Sequence, residues 1–184
     1  MTGVSKLRAI HLRKGSAIQM HVNSMLESNP AMQQDFSYQN SEDDHLFQAD
    51  YDHIDSGKDC KNCDQERLIQ RKPRPANVPV IHYGLIGSGN RVMRHGVTRE
   101  KLRQERNIIC FEMEAAGLMD NFPCLMIRGI CDYSDTHKIK NWQPYAAAAA
   151  AAYAKELLGV ISPVQVDKTP IAIKASLFHF PVYP

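Results

Sequence analysis

No run of 18 apolar residues occurs in the chain, so no segment reads as a membrane-spanning helix. The opening residues, MTGVSKLRAIHLRK, lack the apolar core of a secretory signal. Excess charge is missing as well. Lys and Arg number 22 against 20 Asp and Glu, and a net charge of +2 gives no reason to expect a polyanionic partner. The basic cluster Arg71-Lys72-Pro73-Arg74 is short and proline-broken, and predicts no nucleic-acid surface. The five cysteines are an odd number, and three lie in apolar runs. That suits a reducing, cytoplasmic setting better than a disulfide framework. There is no Walker lysine, and the turn Gly87-Ser88-Gly89-Asn90 lacks the third glycine of a dinucleotide fingerprint.

What is present fits one ordinary domain: 184 residues, 43% hydrophobic and 23% charged. Val4, Leu7, Ile10 and His11 recur at helical spacing. After Gly15, Ser16 is placed to cap a second helix with the stripe Ile18, Val22, Met25 and Leu26, ended by Asn29-Pro30. From Ala31 to Asn77 the chain is polar and aperiodic, an insertion with Phe36, Tyr38, Leu46, Phe47 and Tyr51 as anchors. Val80 to Ile86 reads as a strand. Thr98 is placed to cap a charged helix from Arg99 to Glu105. Beyond Trp142 a helix continues to Val160, its seven-alanine run favouring helix and close packing. Residues 1–161 are expected to form the domain, with the insertion at about 31–77, and residues 162–184 a linker or tail.

The stretch from Asn107 to Asp135 carries the chemistry. Two apolar runs, Ile108 to Phe111 and Cys124 to Ile127, flank a short helix around Ala115 to Met119. Strand, helix, strand predicts an α/β fold with a mostly parallel sheet flanked by helices. Glu112, Glu114 and Asp132 would then stand at the carboxyl edge, where ligands bind in such sheets. One acid there can accept from a vicinal diol, and a second can protonate a leaving group. The alternative is that they are ordinary loop-edge acids.

The insertion carries Cys60-Lys61-Asn62-Cys63, with His45, His53 and Asp59 near in sequence. A CxxC pair is half of a tetrahedral zinc site, and no second CxxC supplies the other half. Cys60 and Cys63 are thus weak metal candidates, with a labile disulfide or two plain thiols as alternatives.

Three segments in order, Gly84-Leu85-Ile86-Gly87-Ser88-Gly89, Phe111-Glu112-Met113-Glu114-Ala115-Ala116-Gly117 and Arg128-Gly129-Ile130-Cys131-Asp132-Tyr133-Ser134-Asp135, resemble the nucleoside phosphorylase superfamily. The resemblance covers about 78 to 161, and the preceding part looks like the version in fungal multidomain receptor-like proteins. It implies a partial nucleoside phosphorylase-like fold acting on the N-glycosidic bond of purine nucleosides. Asp132 would be the catalytic acid toward the purine. Ser88, Gly89, Val92, Met93, Glu112, Met113 and Glu114 would bind substrate, with Glu114 on the ribose hydroxyls. Val92 stands where the family has an aromatic ring, and Cys131 where serine is common. The family's N-terminal phosphate-binding half has no counterpart here, so the chain would be the C-terminal part of such a domain, with both an inactive fragment and an enzyme completed by an upstream half left open. Phosphate would be a co-substrate for a phosphorylase, and no cofactor is expected. A purine nucleoside would be the partner, without nucleic acid or membrane. Homo-oligomers and further domains after the C-terminus are also expected. The alternative is a non-catalytic nucleoside-sensing or interaction module of a receptor-like signalling protein.

Overall fold

A computed structural model describes residues 2–39, 44–54, 59–72, 78–119 and 124–161, so the expected tail at 162–184 lies outside the described residues. The chain divides into two compact units. One runs up to Ser16 and resumes at Ala154; the other spans Ala17 to Tyr153. In the first unit, helix α1 (Gly3–Lys14) starts at Thr2, whose Oγ1 accepts from Ser5 N, and stops at Gly15 with φ 78°. The left-handed conformation there is one that glycine adopts without steric cost. Leu7 and Leu157 are buried. Ser16 does not cap the second helix; its hydroxyl lies 3.5 Å from Glu156 Oε2.

The second unit begins with α2 (Ile18–Ser28), which buries the stripe Ile18, Val22 and Leu26. A 3-10 turn (Pro30–Met32) and the short α3 (Gln33–Phe36) follow. Strand β1 (Leu85–Ser88) leads to α4 (Gly96–Arg106), then to β2 (Ile108–Glu112) and the single turn α5 (Ala116–Met119). The last helix, α6 (Gln143–Val160), grows from a 3-10 turn at Lys140–Trp142. Helix α4 starts earlier than expected because His95, not Thr98, is its cap: the His95 ring accepts from Thr98 N. Asn107, with φ 54°, closes its far end.

The sheet is smaller than the sequence pattern suggests. β1 and β2 pair in parallel, Leu85 opposite Ile108 and Ser88 opposite Glu112, and they form the whole sheet among the described residues. The run from Val80 to Gly84 and the run from Cys124 to Ile130 are not strands. At Gly129 the second of these lies against α6, and it shares a cavity with β2 without pairing to it as a strand. A Cβ at Gly129 would fall inside contact distance of the Ala146 carbonyl oxygen. The alanines make that approach feasible, since Ala146, Ala148 and Ala152 are buried on α6. The architecture is therefore mixed helix with a small parallel sheet, not the larger sheet of a nucleoside phosphorylase-like fold. Tyr38 meets Trp142 and Tyr145 edge-on, with centroids 5.2 and 5.4 Å apart, and Tyr145 Oη lies 3.2 Å from Gln19 Oε1. These contacts dock α2 on α6. None of the described helices is long and apolar enough to cross a membrane.

Candidate functional site

β1 and β2 end side by side, and their last residues are committed to local structure. Glu112 is 3% exposed. Its Oε2 accepts from Glu114 N at 2.7 Å and Ala115 N at 2.8 Å, while Ser88 Oγ accepts from Ala116 N at 2.8 Å. These are the otherwise unsatisfied donors where α5 begins. Burial opposes ionisation of Glu112, but the Ser88 hydroxyl and the N–H groups of Ala115 and Glu114 outweigh it and hold the carboxyl below its ordinary 4.5. Loss of such a cap in Glu112→Ala should cost about 1–2 kcal/mol. Because the folded-state pKa is depressed, this contribution is complete above the unfolded value and fades as pH falls through the folded one. Urea midpoints of parent and variant should differ at pH 7 and converge in acid; a gap independent of pH would refute the assignment.

The other two acids each hold a cation. Arg128 Nη1 donates to Glu114 Oε2 at 3.0 Å. Lys138 Nζ donates to both oxygens of Asp132 at 2.9 Å, and Ser134 N donates to Oδ1 at 2.8 Å. Val92, Met93, Glu112, Met113 and Asp132 line one cavity, together with Arg128 and Lys138, whereas Ser88, Gly89 and Glu114 lie outside its lining. Its volume is about 80 Å³, against roughly 300–1,000 Å³ for pockets that enclose small organic ligands. Neither Arg128 nor Lys138 was expected at the site; nothing in the local sequence pairs them with acids four or more residues away.

The loop after Asp132 is held from several sides. Arg99 of α4 donates to Asp135 Oδ2 at 3.1 Å and to Tyr133 O at 2.8 Å. The insertion adds further bonds: Tyr133 Oη donates to Asp44 at 2.6 Å, Arg71 reaches both Tyr133 and Asp44, and His53 N donates to Thr136 Oγ1 at 2.8 Å. Within the insertion, Phe47 is fully buried and packs with Cys60 and Cys63. An antiparallel bridge from Phe47 to Leu68, flanked by Ile69 N to Leu46 O at 2.8 Å, ties its two arms.

Against this knot lie two histidines. The donor atoms of His53, Cys60 and Cys63 all fall within 4.8 Å of one another. His137, with its side chain 1% exposed, has its ring centroid 5.3 Å from that of His53 and 4.3 Å from Phe47. Both cysteines are free thiols. Burial, helped by the neighbouring Cys63, pushes the Cys60 thiol up to about 12. Burial likewise pushes the His137 imidazole below 6.5, against the pull of Asp135. His45, named from sequence, is not part of the donor group, and His137 was not named from sequence.

No known family's sequence profile matches the chain, and no solved structure matches it. It is 44% identical over 163 residues to a nucleotide-binding leucine-rich repeat (NLR)-like protein of Hyaloscypha variabilis. That alignment covers 89% of the chain and 16% of the relative, so the chain spans about a sixth of the length of the curated protein it matches. The resemblance to the nucleoside phosphorylase superfamily is overturned by this finding. With it go the purine nucleosidase and glycosyl-transfer reading and the expectation of a shortened phosphorylase domain. The three short segments that carried the resemblance do occur. Here, however, they cap a helix turn, pair with Arg128 and Lys138, and pack a backbone against α6.

Proposed function

We propose that this chain is a non-catalytic interaction module of a receptor-like signalling protein, joining its parent's assemblies by self-association. The observation that carries the reading is the alignment itself: nearly the whole chain matches one small part of a much longer NLR-like protein. Two features support it. Glu112, Glu114 and Asp132 are engaged by backbone N–H groups, Arg128 and Lys138, which suits a structural role. Parallel sheets are ordinarily covered on both faces, yet Leu85 and Ile109 in this small one are 57% and 43% exposed. Two strands with apolar side chains in water gain from a further strand or a second copy.

The purified chain should therefore show a mass by light scattering that rises with concentration. Leu85→Glu together with Ile109→Glu should return it to a monomer with unchanged helix content. A parent that stays monomeric throughout the millimolar range would defeat the self-association, and turnover of any nucleoside by the chain would defeat the non-catalytic reading.

A further inference from the structure

We propose that His53, Cys60, Cys63 and His137 form a Cys2His2 site for one structural zinc ion, which fastens the insertion to the loop that follows Asp135. Three of the four donors are already gathered within 4.8 Å of one another. Tetrahedral zinc holds sulfur at about 2.3 Å and imidazole nitrogen at about 2.0–2.1 Å, so neighbouring donors stand about 3.3–3.8 Å apart. Drawing these three donors onto one ion therefore takes side-chain movement on the order of an ångström and no refolding. Two imidazoles on one such ion have centroids about 5 Å apart. The His53 and His137 rings stand at 5.3 Å.

His137 is the second, independent pointer. It is 5% exposed overall, and neither ring nitrogen has a hydrogen-bond partner among the described residues. An imidazole buried without partners costs stability, so such a group calls for a ligand. Asp135 Oδ1 lies 3.6 Å from His137 Nδ1, so a small turn of the ring would bring it to the carboxylate that orients it and leave Nε2 for the metal. Phe47 stacks on the same ring at 4.3 Å and Tyr51 at 5.5 Å, fixing its plane. On the other histidine, Nε2 lies 2.9 Å from the Asp59 carbonyl oxygen, which fixes the orientation of that ring.

The cysteine pair is built in the same sense. Cys63 N donates to Cys60 O at 3.1 Å, closing a tight turn that presents both sulfurs to the interior. Two packed thiols would explain the burial of Cys60 and Cys63, and a disulfide would explain their spacing. Neither accounts for His53 sharing their donor cluster while His137, from a loop far along the chain, faces that same histidine. The insertion is polar, and among the described residues its cluster consists of Phe47 and the two cysteines, with Tyr51, Leu68 and Ile139 packed against them. A core that small is the kind that zinc stabilises, because metal binding free energy becomes folding free energy. Zinc would take both sulfurs as thiolates, their two protons passing to solvent.

The full chain, expressed with zinc and purified without chelator, should contain about one zinc per molecule by elemental analysis. Replacing zinc with cobalt should give the ligand-field bands of a tetrahedral site and thiolate charge-transfer absorption. Cys60→Ser should abolish the metal, and His137→Gln should weaken zinc binding at least tenfold, while Cys124→Ser, at an exposed thiol outside the cluster, should keep full stoichiometry. If Cys60→Ser fails to fold, a mercurial thiol reagent titrated into the parent should release the zinc in step with modification of two thiols. A folded parent without zinc or cobalt bands would overturn the proposal. So would a Cys60→Ser protein that retains its metal, or zinc release unrelated to thiol modification.

Discussion

Replacing Asp135 with alanine should destabilise the protein by about 3–5 kcal/mol, because it strands a cation in the interior. Asp135 and Arg99 lie 3.1 Å apart with side-chain exposures of 6% and 14%. Arg99 comes from α4 and also donates to Tyr133 O, so the pair connects the helix between the strands to the loop that carries Asp132. Asp135 Oδ1 additionally accepts from His137 N at 2.9 Å. Removing the carboxylate therefore leaves a guanidinium and a buried N–H without their acceptor. The pair itself need not be worth so much, since burying two charges costs nearly what their attraction returns. The double variant Arg99→Met, Asp135→Leu should accordingly recover most of the loss. By contrast, the exposed pair of Arg103 and Glu100 on α4 should change stability by well under 1 kcal/mol when broken. Urea midpoints at constant slope would report all three, and a loss below about 1 kcal/mol for Asp135→Ala would refute the argument.

The helices were legible in the sequence wherever a stripe recurs at 3.6 residues. Ile18, Val22 and Leu26 are buried as their spacing implies, and the helix through the alanine run extends from Gln143 to Val160. Caps were less legible. His95 displaces Thr98 as the start of α4, because a histidine nitrogen can accept from an N–H much as a hydroxyl can. The run from Cys124 to Ile130 has a strand's composition but no strand's partner, and composition alone does not record which neighbour is available. Glu112 was readable as a strand-end acid, but neither its bonds to the N–H groups before α5 nor the partners of Glu114 and Asp132 were. Arg128 and Lys138 reach them through the fold, and no periodicity marks that meeting. His137 was illegible for the same reason. Its neighbours in sequence are polar loop residues, and its significance lies in facing His53.

Gly129→Val should cost about 3 kcal/mol or more, at the upper end of what overpacking does. The reason is space and not backbone conformation. Gly15 is the glycine with positive φ among the described residues, so Gly129 needs no left-handed geometry. What it needs is the absence of a side chain: a Cβ would meet the carbonyl oxygen, carbonyl carbon and Cα of Ala146 closer than the 3.0 Å that real Cβ atoms keep. All three are helix backbone, which cannot swing aside as a side chain can. Relief requires the strand-like segment to lift from α6 as a unit, carrying Arg128 from Glu114 and disturbing the approach to Asp132. Gly129→Ala should show the same effect in weaker form. Gly159, near the end of α6, is the contrasting case, since a Cβ there meets nothing within 4 Å. Alanine at that position should be neutral or stabilise by about 0.4–1 kcal/mol, by restricting the unfolded chain. Chemical denaturation of the two alanine variants side by side separates the claims. If Gly129→Ala proves as stable as Gly159→Ala, the close approach of this segment to α6 is wrong.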